Sequence, residues 1–328
     1  MVSSVALSVV IPVYNGARSI GPLVEALDSL DVPGGLEIVL VYDGSPDDSL
    51  AVCRGLIART KAAVTVIEHS RNFGEHNAIL TGLRHARGRH IITMDDDLQN
   101  PPSEVVKLWR HARDTGRQVV YTYYERKEHA WWRNLGSRFT NWCADRLVDK
   151  PPGLSLSTFR CMTAFVAQQI LRYEGPYPYV DGLILQVTQD IDRVAVLHLP
   201  RAEGRSSYTF RRLVRLWLNM FVNFSIMPLR LATLLGFAVS VMGVILALAI
   251  VIEALFGETP PGWASIMAGF LLISGVQLLM LGMIGEYLGR VTLSVNRKPQ
   301  ASVKEVYRRE ASEGGEAVQD LRRPAARP

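Results

Sequence analysis

The sequence predicts an α/β domain built on a mostly parallel sheet, followed by a helix at a membrane surface and two membrane-spanning helices. Three observations carry this expectation. Apolar, β-branched runs alternate with stretches of helical periodicity through the first part of the chain, the pattern of a parallel sheet covered on both faces. Four of those runs end in polar clusters: Pro12-Val13-Tyr14-Asn15, Asp43-Gly44-Ser45, Arg71-Asn72-Phe73-Gly74 and Asp95-Asp96-Asp97. Each cluster alone is an ordinary strand-to-helix turn. Together they mark a site, because ligands of such sheets bind beyond the carboxyl ends of the strands. Finally, Leu231 to Ile252 and Trp263 to Gly285 run for 22 and 23 residues without a charge, each more than the roughly 20 that cross a hydrocarbon core.

The elements follow in order. Residues 7–13 read as a strand. The run Val5 to Val13 has no basic residue before it and no small-residue cleavage site after it, so it is not a signal peptide. A helical pattern covers 18–30, and Leu36 to Tyr42 is a second strand. Asp43-Gly44-Ser45-Pro46-Asp47 is a turn and helix start, and the helix runs to about Arg59. Val64 to Glu68 is a strand, Gly74 to Arg87 a helix and His90 to Met94 a strand. A helix over about 103–115 and a strand over 117–122 complete the pattern.

The most informative stretch is Ile91 to Pro102. A β-branched run ends abruptly in three carboxylates, the carboxamide of Gln99 and two prolines. Oxygen donors at a strand end suit a hard divalent cation, Mg²⁺ or Mn²⁺, which leaves coordination positions for substrate phosphates. The alternative is an acidic loop capping a helix that starts at Asn100-Pro101-Pro102.

Residues 123–150 differ. Arg126, Lys127, Arg133, Arg138 and Arg146 are interleaved with Tyr123, Tyr124, Trp131, Trp132, Phe139 and Trp142, which suits nucleic acid, a lipid headgroup zone or a plain amphipathic surface helix. Residues 151–200 say less; Tyr177-Pro178-Tyr179-Val180-Asp181 is either an acceptor-site wall or a turn. From Tyr208, Phe210, Leu213, Val214, Trp217, Phe221 and Phe224 recur at helical spacing, with Arg212, Arg215, Asn219 and Asn223 on the other side. That pattern suits a helix lying in a bilayer surface, or else a buried core helix.

Composition agrees. Of 328 residues, 48% are hydrophobic and 20% charged, so the chain is ordered. The net charge of +5 sits largely beside apolar segments, which favours a membrane surface over nucleic acid. Cys53, Cys143 and Cys161 have no short paired spacing, which fits a reducing compartment and excludes a disulfide framework or a Cys-based zinc site. Arg211, Arg212, Arg215 and Arg230 precede the first apolar run, and Arg290, Arg297, Lys298, Arg308 and Arg309 follow the second. Between the runs, Glu253 to Gly262 holds Glu253 and Glu258 and no Lys or Arg. The positive-inside rule then places the catalytic domain and both termini in the cytoplasm. Small residues in and after the second run (Gly269, Ser274, Gly275, Gly282, Gly285, Gly289) permit close helix packing and oligomers, and the end from about Glu310 reads as disordered. The expected domains are 1–207, 208–228 (surface helix), 229–290 (two spans) and 291–328 (cytoplasmic C-terminal segment).

Ser8-Val9-Val10-Ile11-Pro12-Val13-Tyr14-Asn15, Tyr42-Asp43-Gly44-Ser45, Arg71-Asn72-Phe73-Gly74 and Asp95-Asp96-Asp97-Leu98-Gln99-Asn100-Pro101-Pro102 resemble family 2 glycosyltransferases of the GT-A fold. More narrowly, the chain resembles the polyprenyl-phosphate glycosyltransferases. That likeness rests on Asp-x-Asp-Leu-Gln-x-Pro-Pro, on Arg201-Ala202-Glu203-Gly204-Arg205-Ser206-Ser207-Tyr208, on Pro228-Leu229-Arg230 and on Gly285-Glu286-Tyr287-Leu288-Gly289-Arg290. The resemblance implies inverting transfer of a sugar from a nucleotide diphosphate, UDP-linked, to polyprenyl (undecaprenyl) phosphate at the bacterial cytoplasmic membrane. The product would serve cell-envelope glycan or lipid A modification, and a homo-oligomer, a tetramer, is implied as well.

By the same resemblance, Pro12, Tyr14, Asn15, Asp43, Asn72 and Asp95 bind the nucleotide sugar. Asp95, Asp97 and Gln99 hold Mg²⁺ or Mn²⁺. Arg126, Arg133, Arg201 and Ser206 meet the acceptor and other phosphates, and Asp97 and Arg201 are the catalytic pair. The chain departs from the family where Gly16 replaces a frequent Glu and Tyr42 a frequent Asp. Ser157-Thr158 also stand where relatives carry an Asp, so no sugar identity is transferred. No role follows for Asp96. The alternatives are a processive polysaccharide synthase, to which Gln169-Ile170-Leu171-Arg172-Tyr173 comes close, and a non-enzymatic membrane scaffold.

Overall fold

The computed structural model describes residues 5–124, 154, 156–175, 178–199, 234, 237–238, 241–242, 245, 262–295, 299–309 and 319–320. Strand β1 (Leu7–Val13) leads to α1 (Ile20–Asp28), β2 (Leu36–Tyr42), α2 (Ser49–Arg59), β3 (Ala63–His69), α3 (Glu75–His85) and β4 (His90–Thr93). Then come α4 (Pro102–Thr115), β5 (Val119–Tyr123), β6 (Arg160–Thr163), α5 (Ala164–Ile170), α6 (Val180–Val187) and β7 (Ile191–Ala195). Helix α7 (Trp263–Val295) and strands β8 (Val303–Arg309) and β9 (Gln319–Asp320) follow.

The strands form one sheet in the order β7-β5-β6-β4-β1-β2-β3-β8-β9. β4, β1, β2 and β3 run parallel side by side. β6 is antiparallel between β4 and β5, and β7 is parallel to β5. The sheet is therefore mostly parallel at its centre, as the alternation of strands and helices predicts. Leu7, Val9, Val10, Ile11 and Val13 of β1 are all fully buried, as are Ile38, Val39, Leu40 and Val41 of β2. Side chains pointing to both faces are covered, which is why these strands read as continuous apolar runs.

The chain divides into two compact units, residues 1–207 with 299–328, and residues 208–298. The C-terminal segment returns to the first unit: β8 pairs antiparallel with β3 over Val64–His69, and β9 with β8. Arg308 donates to the Thr65 hydroxyl at 3.2 Å, and Arg309 to the Ile57 and Ala58 carbonyls. Both arginines are thereby held at this edge of the sheet.

In the second unit, α7 is a single helix of 33 residues, and Trp263 to Gly285 carry no charge. Taken over its described residues, no helix is long and apolar enough to cross a membrane. Ile266, Phe270, Ile273, Leu281, Ile284 and Leu288 of α7 are exposed. The expected surface helix at 208–228 and most of the run Leu231 to Ile252 lie outside the described residues.

Candidate active site

The polar clusters predicted at the strand ends meet at the carboxyl edge of β4, β1 and β2. Four successive backbone N–H groups in the turn after β1 each donate to a side-chain oxygen. Tyr14 donates to Asp96 Oδ2 at 3.4 Å, Asn15 to Ser45 Oγ at 2.8 Å, Gly16 to Ser49 Oγ at 3.0 Å and Ala17 to Asp47 Oδ2 at 3.1 Å. Three acceptors come from the turn after β2 and the first residue of α2, and the fourth follows the end of β4. The turn needs them because N–H groups leaving a strand for a helix have no ladder partner. Asn15 takes up φ 58°, a left-handed conformation that Asn tolerates better than most residues. Tyr14 is 48% exposed at the top of this turn; Asn15 is exposed and Pro12 half-buried.

Asp47 binds the Ser45 and Ser49 hydroxyls and the Ala17 and Ser49 N–H groups. Burial alone would push its carboxyl upward. The hydrogen bonds outweigh that and hold it below the usual carboxylate range.

Asp43 was expected to contact the nucleotide. It is only 3% exposed, and the protein occupies its carboxylate. Oδ1 accepts from His69 Nδ1 at 2.8 Å and from the Phe73 N–H at 2.9 Å, and Oδ2 from the Gly74 N–H at 2.8 Å. Asp43 thus pins the Arg71-Asn72-Phe73-Gly74 loop to the end of β2. Gly44 makes the close approach possible: it has φ +60°, and a Cβ there would lie 2.4 Å from the Arg71 carbonyl carbon. Asn72 is exposed on that loop.

At the end of β4, Asp95, Asp96, Asp97 and Gln99 are half-buried. Asp95 Oδ2 accepts the Thr158 hydroxyl at 2.7 Å, and Asp97 Oδ1 accepts the Gln99 N–H at 3.2 Å. The backbone passes Leu98 at φ 60°, turning Gln99 toward residues 198–199. Gln99 Nε2 lies 3.4 Å from both His198 Nε2 and the Leu199 carbonyl, and the Gln99 carbonyl accepts the Leu199 N–H at 2.8 Å. The Asp-x-Asp segment is therefore tied to the chain that leads into Arg201. Burial pushes the Asp96 carboxyl up to about 7, the negative charges of Asp95 and Asp97 add to this, and the Tyr14 N–H opposes it. Tyr124 stacks on His198 at 4.1 Å between ring centroids, and its phenol is pushed up, mainly by burial.

Among the described residues no group of three or more His, Cys, Asp or Glu side chains is placed to hold a metal ion. The donor set here is two carboxylates and a carboxamide, Asp95, Asp97 and Gln99. Such a set fits a hard cation that takes one or two protein carboxylates and completes its sphere with water and substrate phosphate.

Thr158 and His198 are the site residues not found from sequence. Thr158 showed only as a departure from an acidic family position, and His198 lies in a stretch, 151–200, whose pattern says little. Asp181, a possible acceptor-site residue, is instead 6% exposed and paired with buried Arg160, and it accepts the Tyr121 hydroxyl at 2.9 Å. Cys53 and Cys161 are buried free thiols. Arg126, Arg133, Cys143, Arg201 and Ser206 lie outside the described residues.

Residues 8–170 match the family model Glycosyl transferase family 2. The chain is 32% identical over 314 residues to an undecaprenyl-phosphate 4-deoxy-4-formamido-L-arabinose transferase of Pseudomonas aeruginosa, covering 92% of this chain and 90% of that one. It is 31% identical over 315 residues to the protein of that name from Edwardsiella ictaluri, covering 92% and 94%. Among solved structures, glucosyl-3-phosphoglycerate synthase from Mycobacterium tuberculosis, in complex with Mn²⁺ and uridine-diphosphate-glucose, is similar with a TM-score of 0.48. It is 18% identical and covers 66% of this chain and 77% of that one.

Proposed function

This chain belongs to glycosyl transferase family 2, and we propose that it transfers a sugar, with inversion, from a UDP-linked donor to a polyprenyl phosphate at the cytoplasmic face of a bacterial inner membrane. It is a glycosyltransferase, and its mostly parallel α/β sheet is that of the GT-A enzymes. The observation that supports the acceptor is the near end-to-end match, over 92% of this chain, to relatives named for transfer to undecaprenyl phosphate. The apolar runs 231–252 and 263–285, the basic residues flanking them and the 33-residue helix α7 support a membrane hairpin beside the catalytic domain. On this reading the lipid product enters cell-envelope glycan or lipid A modification.

The site's chemistry is largely one of holding anions. Tyr14, exposed on its anchored turn, forms a face for the nucleobase, with Pro12 and Asn15 beside it and Asn72 across on the neighbouring loop. Asp43 serves this region indirectly by fixing the 71–74 loop. Asp95, Asp97 and Gln99 would hold Mg²⁺ or Mn²⁺, which would supply Lewis-acid neutralisation of charge on the departing diphosphate. Arg201, Ser206, Arg126 and Arg133 are assigned to the phosphate groups, where arginines can hold two anions close together. A phosphate acceptor has a second pKa near 6 and is largely dianionic at neutral pH. Little therefore calls for a general base, and none is assigned to Asp96 or Asp181.

Replacing Asp97 by Asn tests the ligand assignment. In membranes supplied with polyprenyl phosphate, donor and Mn²⁺, transfer should fall by at least a hundredfold. Undiminished, metal-dependent transfer would contradict the assignment.

A further inference from the structure

Asp96 has no part in the reaction as described above, yet its carboxylate occupies a particular place. Of the four side-chain acceptors that hold the turn after β1, three lie on the β2 side, and only Asp96 reaches the turn from β4. It reaches because Gly16 lacks a side chain: a Cβ on Gly16 would stand 2.1 Å from Asp96 Oδ2, 3.1 Å from Asp96 Cγ and 3.1 Å from Val13 Cγ1. The Gly16 backbone has little freedom to retreat. Its N–H is bound to Ser49, and its carbonyl accepts the N–H groups of Ser19 and Ile20 at 3.1 and 2.9 Å. Any side chain at position 16 must therefore displace the Asp96 carboxylate from the Tyr14 N–H.

We propose that Asp96 is a positioning residue, which locks the Tyr14 turn to the Asp95–Asp97 strand end through the space that Gly16 leaves. Asp95 and Asp97 lie on either side of Asp96 in the chain, so its bond to Tyr14 fixes the distance between the face for the nucleobase and the carboxylates on the diphosphate side. One nucleoside diphosphate must satisfy both ends at once. A turn free to drift by an ångström would lose one set of contacts while making the other. This inference rests on the proposed nucleotide-binding role of the turn and adds to it a reason for Asp96 and Gly16 occurring together.

The test uses the full chain in detergent, with UDP and Mn²⁺ as probes and GDP as a second nucleotide. Asp96→Ala and Gly16→Ala should each weaken UDP binding about tenfold, and the double variant should be no weaker than either single one, since both remove the same bond. Asp96→Asn retains an acceptor oxygen and should bind UDP within about threefold of the parent. It should leave the Mn²⁺ concentration for half-maximal effect unchanged, whereas loss of a metal ligand would raise it. Losses that multiply in the double variant, unimpaired binding in Asp96→Ala, or a raised Mn²⁺ requirement in Asp96→Asn would overturn the proposal. If the parent protein bound neither nucleotide, the nucleotide-sugar reading itself would fail, and the positioning role with it. That result is distinct from a parent that binds while its variants behave independently.

Discussion

Thr158 donates its hydroxyl to Oδ2 of Asp95 at 2.7 Å, while its own carbonyl accepts the Thr93 hydroxyl at 2.6 Å. Thr158, two residues before β6, thus orients a carboxylate at the end of β4 and is itself fixed to that strand. A hydrogen bond to a charged group contributes roughly 1.5–3 kcal/mol, and about 1.4 kcal/mol is a tenfold change in rate. Thr158→Val keeps the shape and removes the donor, so sugar transfer at limiting Mn²⁺ should fall about tenfold. Thr158→Ser should stay within about twofold. Initial rates across a Mn²⁺ titration check both.

Gln300 joins three parts of the catalytic unit. It is 9% exposed, its Oε1 accepts from Arg84 at 2.9 Å, and its Nε2 donates to the Tyr173 and Gly175 carbonyls at 2.9 Å each. Losing both bonds to these half-buried carbonyls costs on the order of 1–3 kcal/mol. Gln300→Ala should therefore lower the Tm of the full chain by several degrees, whereas Gln300→Glu, which loses the donors alone, should lower it by a similar amount. An unchanged Tm in both would show that the strap 299–302 is not holding this region.

His76 contributes a pH dependence of stability. Its Nδ1 is buried with no partner among the described residues, its ring meets Tyr179 edge-on at 5.2 Å, and burial pushes its pKa down to about 4. The unfolded chain takes up a proton near 6.5, while the folded protein does so only near 4. The contribution is therefore fully present above pH 6.5 and is lost as pH falls through that window, to an extent on the order of 3 kcal/mol. His76→Phe keeps the ring contact and removes the titration. Its Tm should fall less between pH 7 and pH 4.5 than that of the parent; identical slopes would contradict the assignment.

Asp181 should prove structural. Breaking a buried ion pair from one side costs about 3–5 kcal/mol, whereas replacing both partners by apolar residues costs far less. Asp181→Asn should strongly lower Tm, and Arg160→Met with Asp181→Leu should recover most of the loss. A parental Tm in Asp181→Asn, or no recovery in the double variant, would contradict the structural role.

β1 through β5 were legible because burial on both faces writes an uninterrupted apolar run, and because Asp, Gly, Asn and Pro punctuate each strand end. β6 and β7 were not, since buried Arg160 and the charged pair Asp192-Arg193 break the pattern. β8 was obscured for another reason. Val303-Lys304-Glu305-Val306-Tyr307-Arg308-Arg309 is rich in charge, and its charges are matched across the fold, Lys304 with Glu68 and Glu305 with Arg54. At the site the separate clusters were readable, but their cross-links were not. The Thr158–Asp95 bond spans 63 residues and the Tyr14–Asp96 bond 82, and no local pattern records contacts at such separations. The same limit applies to Asp43, whose donors from His69, Phe73 and Gly74 lie 26 to 31 residues away in the chain.

Transfer of one sugar to a polyprenyl phosphate can be read directly from its product. Membranes carrying the full chain, given undecaprenyl phosphate, Mn²⁺ and a panel of nucleotide sugars, can be extracted with chloroform and the lipids weighed by mass spectrometry. A new lipid heavier than the acceptor by a single sugar residue should form from one donor and be absent in Asp97→Asn membranes. A polymeric product, or donor consumption with no sugar-bearing lipid, would contradict it.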